Sequence, residues 1–315
     1  AYMGDIMSHY IDRAANETSV ETAVRRDTLL DFANLFGYKP SGPTPANVDV
    51  LFTNVSTKTI DIPIGTQVMA PLSYGPYSEV FFETTSPVTA VLPGQTITIT
   101  CVEGKTVNTD RPDLVDVTYH KPLPANIGTS TGLPNQSITI PFDTAIIDNT
   151  LIVYVGQGVA FASWKYVDSL LEQGPEDRVF TTVQNVDGTL NIIFGDDVTG
   201  AIPPAGQLIS AIYKTSTGSS GNVITDAISE VTFIPGNSDP GAISYLSVSN
   251  PAPAIGGADA DNLTQIKTKI KAAITTRRRA VTLDDYKNLA LLVPRVGKAS
   301  ASGAYYSAVN LYVQP

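Results

Sequence analysis

A chain of 315 residues with 43% hydrophobic and 16% charged side chains has a globular composition with room for two or three cores, which excludes the disordered class. No run of 18 or more apolar residues occurs, and the start, AYMGDIMSHYIDRAANE, lacks a basic stretch leading into an apolar one, so neither a membrane-spanning helix nor a secretory signal is expected. The net charge of −10 is uneven, with nine Lys/Arg against four Asp/Glu in residues 256–315 and 11 against 26 before them. Such an acidic body repels nucleic acid and favours head-to-tail association, one copy's body with another's basic end. The start at Ala1 rather than Met suggests a processed N-terminus.

Residues 1–38 read as helix, because apolar groups recur at Ile6, Tyr10, Ile11 and Ala14, then at Val20, Ala23, Val24, Leu30 and Ala33. TSVE, with Thr18 as cap and Glu21 three residues on, predicts a capping box opening a second helix. Gly37 followed by Pro40 supplies its stop. The first helix is too short to be stable alone and needs a partner, from this chain or another. From Val48 the period becomes two. The runs VDVLFTNVS, TIDIPIGTQVMA, EVFFETTSPVTAV and QTITITCVEG predict a small antiparallel β domain over 46–108. Within the last run, Cys101 is the one cysteine of the chain, so no internal disulfide exists and a buried thiol is expected. Residues 109–136, with Pro112, Pro122, Pro124 and Pro134, read as a long connection. A second β-rich domain spans 137–235 and includes a hairpin, VQNVDGTLNIIFG, with Asp187-Gly188 at its turn. Antiparallel sheet is expected there, since no crossover helices are visible.

The last block, 236–315, holds a helix–turn–helix–strand unit. Leu263, Ile266, Ile270, Ala273 and Ile274 make an apolar stripe on the first helix. TLDD, Thr282 with Asp285, predicts a capping box for the second. Arg277, Arg278 and Arg279 sit at the helix end and its turn, with two roles open: satisfying terminal carbonyls, or making a salt-bridged subunit contact. With 1–45 as an N-terminal helical segment, the fold class is α+β.

Catalytic chemistry has little to work with. His9 and His120 are the two histidines, and no zinc-type cluster, GxSxG elbow, P-loop, GxGxxG, HExxH or EF-hand pattern appears. FGDDVTG, with Gly195, Asp196, Asp197 and Gly200, reads as a tight turn between strands, the alternative being a Ca²⁺ site on the two aspartates. Trp164 reads as a core or interface anchor rather than a sugar platform. No catalytic residue, metal site or cofactor is assigned, and no enzyme is expected.

Several segments, in order, resemble the baseplate J-like family, which includes the baseplate wedge subunit of T-even phages and relatives in contractile injection machines. FGDDVTGAIPPAGQLISAIYKTSTGSSGNV (194–223) is similar to the family's FGDG…G…P…G…Y…G…GN segment. NPAPAIGGADADNLTQIKTKIKAAITTRRRAVTLDDYKNLALLVPRVGKASA (250–301) is similar to its NP…GG.D…E.IK…R…RAVT..DY..LA…P.V.KA segment. ETSVETAVRRDTLLDFANLFGYKP (17–40) and IPIGT (62–66) add weaker support. The most specific element is RAVT..DY, at Arg279, Ala280, Val281, Thr282, Asp285 and Tyr286. Asp197 stands where the family has Gly, and Asp261-Asn262 replaces its acidic pair. The chain ends just after an apparent strand, so a C-terminal region of longer relatives is expected to be missing.

The resemblance implies a structural protein of a virion tail baseplate, assembled in the host cytoplasm. Two copies would join one different, smaller wedge protein in a heterotrimer through an N-terminal helical bundle, to which Ile6, Tyr10, Ile11 and Ala14 would contribute. Wedges would ring a hub, meet neighbouring wedges and sheath-initiating proteins, and rearrange when the sheath contracts. The ring contact would fall on Arg277, Arg278, Arg279, Asp285 and Tyr286. Neither nucleic-acid binding nor membrane insertion is implied. A cell-surface or glycan-binding tail-tip module, carried by the Tyr-rich strands and Trp164, is the alternative.

Overall fold

The structure is a computed structural model and describes residues 2–314 apart from 37, 39, 74, 108–114, 117–120, 123–124, 141–145, 148–149, 158–159, 186–188, 237–240, 277–278, 294–295, 297 and 305–307. The architecture is α+β. By its contacts the chain forms two units, residues 42–259 and residues 1–41 with 260–315.

The middle unit is built from strands β1 (Asn47–Asn54), β2 (Ile60–Ile62), β3 (Gln67–Pro71), β4 (Glu79–Thr84), β5 (Val88–Val91), β6 (Thr96–Glu103), β7 (Lys105–Val107), β8 (Val115–Asp116), β9 (Lys121–Pro122), β10 (Ala125–Thr129), β11 (Ser137–Ile140), β12 (Ile152–Gln157), β13 (Ala160–Tyr166), β14 (Val179–Gln184), β15 (Leu190–Phe194), β16 (Leu208–Thr215), β17 (Glu230–Phe233) and β18 (Leu246–Ser249). Six of them form an antiparallel sheet in the order β17-β3-β4-β6-β1-β18. Alternation drives it: Val48, Val50 and Phe52 are buried, while Asn47 and Asp49 are exposed and Leu51 is half-buried. These side chains meet Ile62, Val68, Val80, Phe82 and Ile99 in one core. The edge strands β17 and β18 approach each other, so the sheet wraps around that core.

A second, larger sheet runs β10-β16-β12-β13-β14-β15-β11, with β7 also on β16. Its edges β10 and β11 likewise approach. Phe180, Phe194, Ile192, Ile209 and Tyr213 fill it. Trp164 is buried there, edge-on to Phe194 with ring centroids 5.2 Å apart. The expected hairpin forms between β14 and β15, pairing Phe180 with Phe194 and Gln184 with Leu190. Its Asp187-Gly188 turn lies outside the described residues. One pair departs from the antiparallel expectation: β13 and β14 run parallel, joined by residues 167–178 without a helix.

The pairings cut across the boundaries expected from sequence. β17, placed with the second domain, pairs with β3 of the first, and β18, placed with the C-terminal block, pairs with β1. β10, inside the expected connection 109–136, pairs with β16. Alternation identifies a strand by its period but carries no information about its neighbour, so strands far apart in sequence were assigned to the nearest block.

The other unit contains α1 (Tyr2–Asn16), α2 (Arg26–Leu35), α3 (Leu263–Thr276), α4 (Leu283–Leu291) and a hairpin of β19 (Lys298–Ala304) with β20 (Ala308–Gln314). Its core joins Ala23, Leu29, Ala33 and Tyr38 to Ile266 and Ile270 of α3. The N-terminal and C-terminal blocks, expected as separate domains, thus share one core. The α4 capping box forms as expected, Asp285 N–H donating to the Thr282 hydroxyl and Thr282 N–H to the Asp285 carboxylate at 2.8 Å. The TSVE box does not. The Thr18 hydroxyl instead donates to the Ala15 carbonyl at the end of α1. Glu17 accepts from Val24 and Arg25 N–H at 3.0 and 3.2 Å, ahead of α2. The predicted box therefore does not form: Thr18 closes α1, and a carboxylate seven residues upstream, not a reciprocal Thr/Glu pair, serves the backbone ahead of α2. Of the expected stop, Gly37 lies outside the described residues.

Candidate functional site

α1 is a helix whose apolar stripe faces water. Met7, Tyr10, Ile11 and Ala14 fall at i, i+3, i+4 and i+7, and all four are exposed, Met7, Tyr10 and Ile11 by 62–65%. Ile6 beside them is half-buried. Among the described residues, none of α1 enters any of the three apolar cores. A soluble helix normally turns this stripe inward. Covering each large side chain would contribute about 1.5–3 kcal/mol, so the arrangement favours another polypeptide laid along it.

The second expected surface is residues 277–286. Arg277 and Arg278 lie outside the described residues. Arg279 is exposed, its N–H donating to the Thr276 carbonyl at 2.8 Å as the chain leaves α3. Val281 is 81% exposed, with Leu283 and Tyr286 also open to solvent. Asp285 is a different matter. Its carboxylate accepts from Thr282 and Val281 N–H, and these bonds, Thr282's first, hold it below the ordinary aspartate range. An acid already committed to a helix cap is poorly placed to serve a partner, so Asp285 is a capping residue. Tyr286 is 36% exposed.

The apolar stripe of α3, unlike that of α1, is covered within the chain. Ile266 and Ile270 are fully buried by the chain's own α2, while Leu263 and Ile274 at the margins stay partly exposed. At its start, Asn262 and Gln265 cap reciprocally: Gln265 N–H reaches Asn262 Oδ1 at 2.9 Å and Asn262 N–H reaches Gln265 Oε1 at 2.8 Å. Asp261 just before it faces inward. It accepts from the Tyr38 hydroxyl at 2.5 Å, Ser41 N–H at 2.9 Å and Lys269 at 2.7 Å. Burial pushes its carboxyl up, but Lys269, Tyr38 and Ser41 together outweigh that and hold it below its usual value. Burial and the Asp261 carboxylate push the Tyr38 phenol up.

Residues 195–200 are a turn with its donors and acceptors already matched. Asp196 accepts from Val198 N–H, Thr199 N–H and the Thr199 hydroxyl at 3.1, 2.7 and 3.0 Å; the Thr199 N–H leads in lowering its carboxyl. Asp197 N–H donates to the Gly200 carbonyl at 3.0 Å. Asp197 takes φ +69, the left-handed region a glycine would enter without cost. A Cβ on Gly195 would stand 2.1 Å from the Gly200 carbonyl oxygen. Among the described residues no group of three or more His, Cys, Asp and Glu is placed to hold a metal.

Two buried carboxylates escaped the sequence reading. Glu103 is 1% exposed at the end of β6, in phase with inward-facing Ile99 and Cys101. That phase was the available signal. It accepts from the Ser216 hydroxyl at 2.5 Å and from Thr217 N–H and hydroxyl at 2.8 and 3.0 Å; burial nonetheless pushes its carboxyl up. Glu83 on β4 pairs with Lys214 of β16 at 2.7 Å and accepts from Thr106 of β7 and Gln67 of β3. Both tie the six-stranded sheet to the larger one. An open cleft of about 450 Å³ lies over Glu103, Lys105 and Phe81. Cys101 is buried and its thiol is pushed up to about 12 by burial, then by Asp49, which makes it inert. His9 is exposed on α1, and His120 lies outside the described residues.

No family model and no curated protein matches the sequence. Solved structures similar at low level include two baseplates. One is the cryo-EM baseplate of the anti-feeding prophage, at 13% identity and TM-score 0.35, covering 87% of this chain and 48% of that one. The other is the TssK-TssF-TssG baseplate subcomplex of a type VI secretion system, at 10% identity and TM-score 0.37, covering 99% of this chain and 87% of that one. The chain thus spans about half the length of the first.

Proposed function

We propose that this chain is a structural subunit of the baseplate of a contractile phage tail or a related injection machine. The ordered resemblance at 17–40, 62–66, 194–223 and 250–301 supplies the class, and α1 is the structural observation that carries it. A helix that leaves Met7, Tyr10 and Ile11 outside every core of its own chain makes sense as one strand of a bundle shared with other chains. In this reading two copies and a different, smaller wedge protein form a heterotrimer through α1, with Ile6, Tyr10, Ile11 and Ala14 at the seam. Arg277, Arg278, Arg279 and Tyr286 meet a neighbouring wedge, and the ring formed around the hub rearranges when the sheath contracts. The protein carries no catalytic step. Trp164, the feature that favoured a glycan-binding tip, is 5% exposed and leaves no ring face for a sugar.

The test is residue-level cross-linking of purified tails together with an Ile6→Asp/Tyr10→Asp double variant. Residues 2–16 should cross-link to a second copy and to a smaller, different chain. The double variant should leave residues 42–259 folded, since neither side chain enters their cores, and lose both partners. Unchanged co-purification of the double variant, or cross-links from 2–16 that stay within one copy, would overturn the reading.

A further inference from the structure

The charge asymmetry follows the units. Residues 42–259 hold 21 Asp/Glu and seven Lys/Arg; residues 1–41 with 260–315 hold nine and 13. Each unit also displays an apolar patch rimmed by its own sign of charge. On the acidic unit the patch is the tip made by residues 168–177 and 195–200. Among the described large apolar side chains of that unit Leu171 is the most exposed, at 83%, and Val198, at 69%, comes third after Ile224. Asp168, Glu172, Glu176, Asp177 and Asp197 around them are exposed, with Lys165 and Arg178 at the border. The tip is held in shape. Gly200 N–H donates to the Gly174 carbonyl at 3.1 Å, Gly174 N–H to Asp177 Oδ2 at 2.7 Å, and Ala201 N–H to the Asp177 carbonyl at 2.8 Å. A loop already ordered loses little freedom on docking. On the basic unit, Val281, Leu283 and Tyr286 are exposed beside Arg279 and Lys287, with Arg277 and Arg278 adjacent in sequence and Asp284 as the one exposed acid there.

We infer that the acidic tip of one copy docks on the Arg279–Lys287 face of a second copy, Leu171 and Val198 meeting Val281 and Leu283. Opposite rims steer the approach and apolar centres hold it, which is the anatomy of a specific interface. Because the two patches differ, the contact is head-to-tail and generates a closed ring or an open chain rather than a symmetric pair. The inference deepens the reading of residues 277–286 given above by naming what they contact, and needs nothing from α1.

Charge exchange tests it on the full chain. Sedimentation velocity should show wild type associating at low salt, and weakening by about tenfold between about 50 mM and 500 mM salt as the rims are screened. Glu172→Lys/Glu176→Lys should abolish self-association, and so should Arg279→Glu/Lys287→Glu, with circular dichroism unchanged because all four positions are exposed. An equimolar mixture of the two variants restores both complementary pairs and should associate again. A wild type that stays monomeric at low salt, variants that associate as it does, or a mixture that stays dissociated would each overturn the contact. Association abolished by Ile6→Asp/Tyr10→Asp instead would assign it to α1, overturning this contact while leaving the bundle reading standing.

Discussion

Two neighbouring positions in the 195–200 turn show how one residue's geometry decides its tolerance. Gly195 has no room for a Cβ, because the obstacle at 2.1 Å is a backbone oxygen that cannot swing aside. Gly195→Ala should therefore cost roughly 2–4 kcal/mol, the range of overpacking combined with a displaced turn, read as a fall in denaturant midpoint. Asp197 is the reverse case. At φ +69 it carries left-handed strain that Asp bears better than most residues and Gly bears freely, so Asp197→Gly should be neutral or stabilise by up to about 1 kcal/mol, while Asp197→Val should destabilise. The resemblance had marked this position as an acid where Gly is usual. The backbone keeps the glycine conformation and the side chain merely endures it.

Between elements, the Asp261 node fixes α3 to the segment after α2. Removing it by Asp261→Ala leaves Lys269 buried without its anion and should cost roughly 3–5 kcal/mol. Its folded carboxyl lies below its ordinary value, so its contribution is complete above the unfolded value of about 3.9 and is lost as pH falls from there through the folded one. Acid titration of wild type should show this loss, and Asp261→Asn should flatten it. Glu103 works in the opposite sense, its raised carboxyl favouring the fold as pH falls. The sequence made much at this scale legible, and the reason is local: the Thr282–Asp285 box and the β14–β15 hairpin depend on residues within a few positions of each other. It missed Glu17 as the acceptor ahead of α2 and Asp261 as a buried node because their partners are seven and 223 positions away, beyond any short pattern.

At the scale of the molecule, the two sheets of residues 42–259 belong to one compact unit rather than to two domains joined by a long connection at 109–136. β6 passes through Gly104, whose φ of +122 and 2.5 Å clearance to the Thr215 carbonyl admit only glycine, directly into β7 on the second sheet. Glu83–Lys214 and Glu103 with Ser216 and Thr217 pin the same seam. Residues 42–259 should unfold in a single cooperative transition by calorimetry. Lys214→Met should lower it by roughly 2 kcal/mol, less than the full cost of an orphaned buried charge because Lys214 is over one-third exposed and Thr106 still donates to Glu83. The sequence could not show this fusion, since the seam's carboxylates look like ordinary strand residues until their phase is compared with the apolar ones.

The sharing of one core by both ends of the chain has a consequence for biogenesis. Residues 42–259 are an insertion within the other unit, entering and leaving through adjacent backbone where Thr44 and Ala258 exchange hydrogen bonds of 2.8 and 3.0 Å. On the ribosome, Leu29, Ala33 and Tyr38 emerge first yet find Ile266 and Ile270 last, so the inserted body can fold while the leading helices still wait. During that interval both α1 and the inner face of α2 are sticky, which makes the order of synthesis, as much as the finished shape, a determinant of what these helices meet.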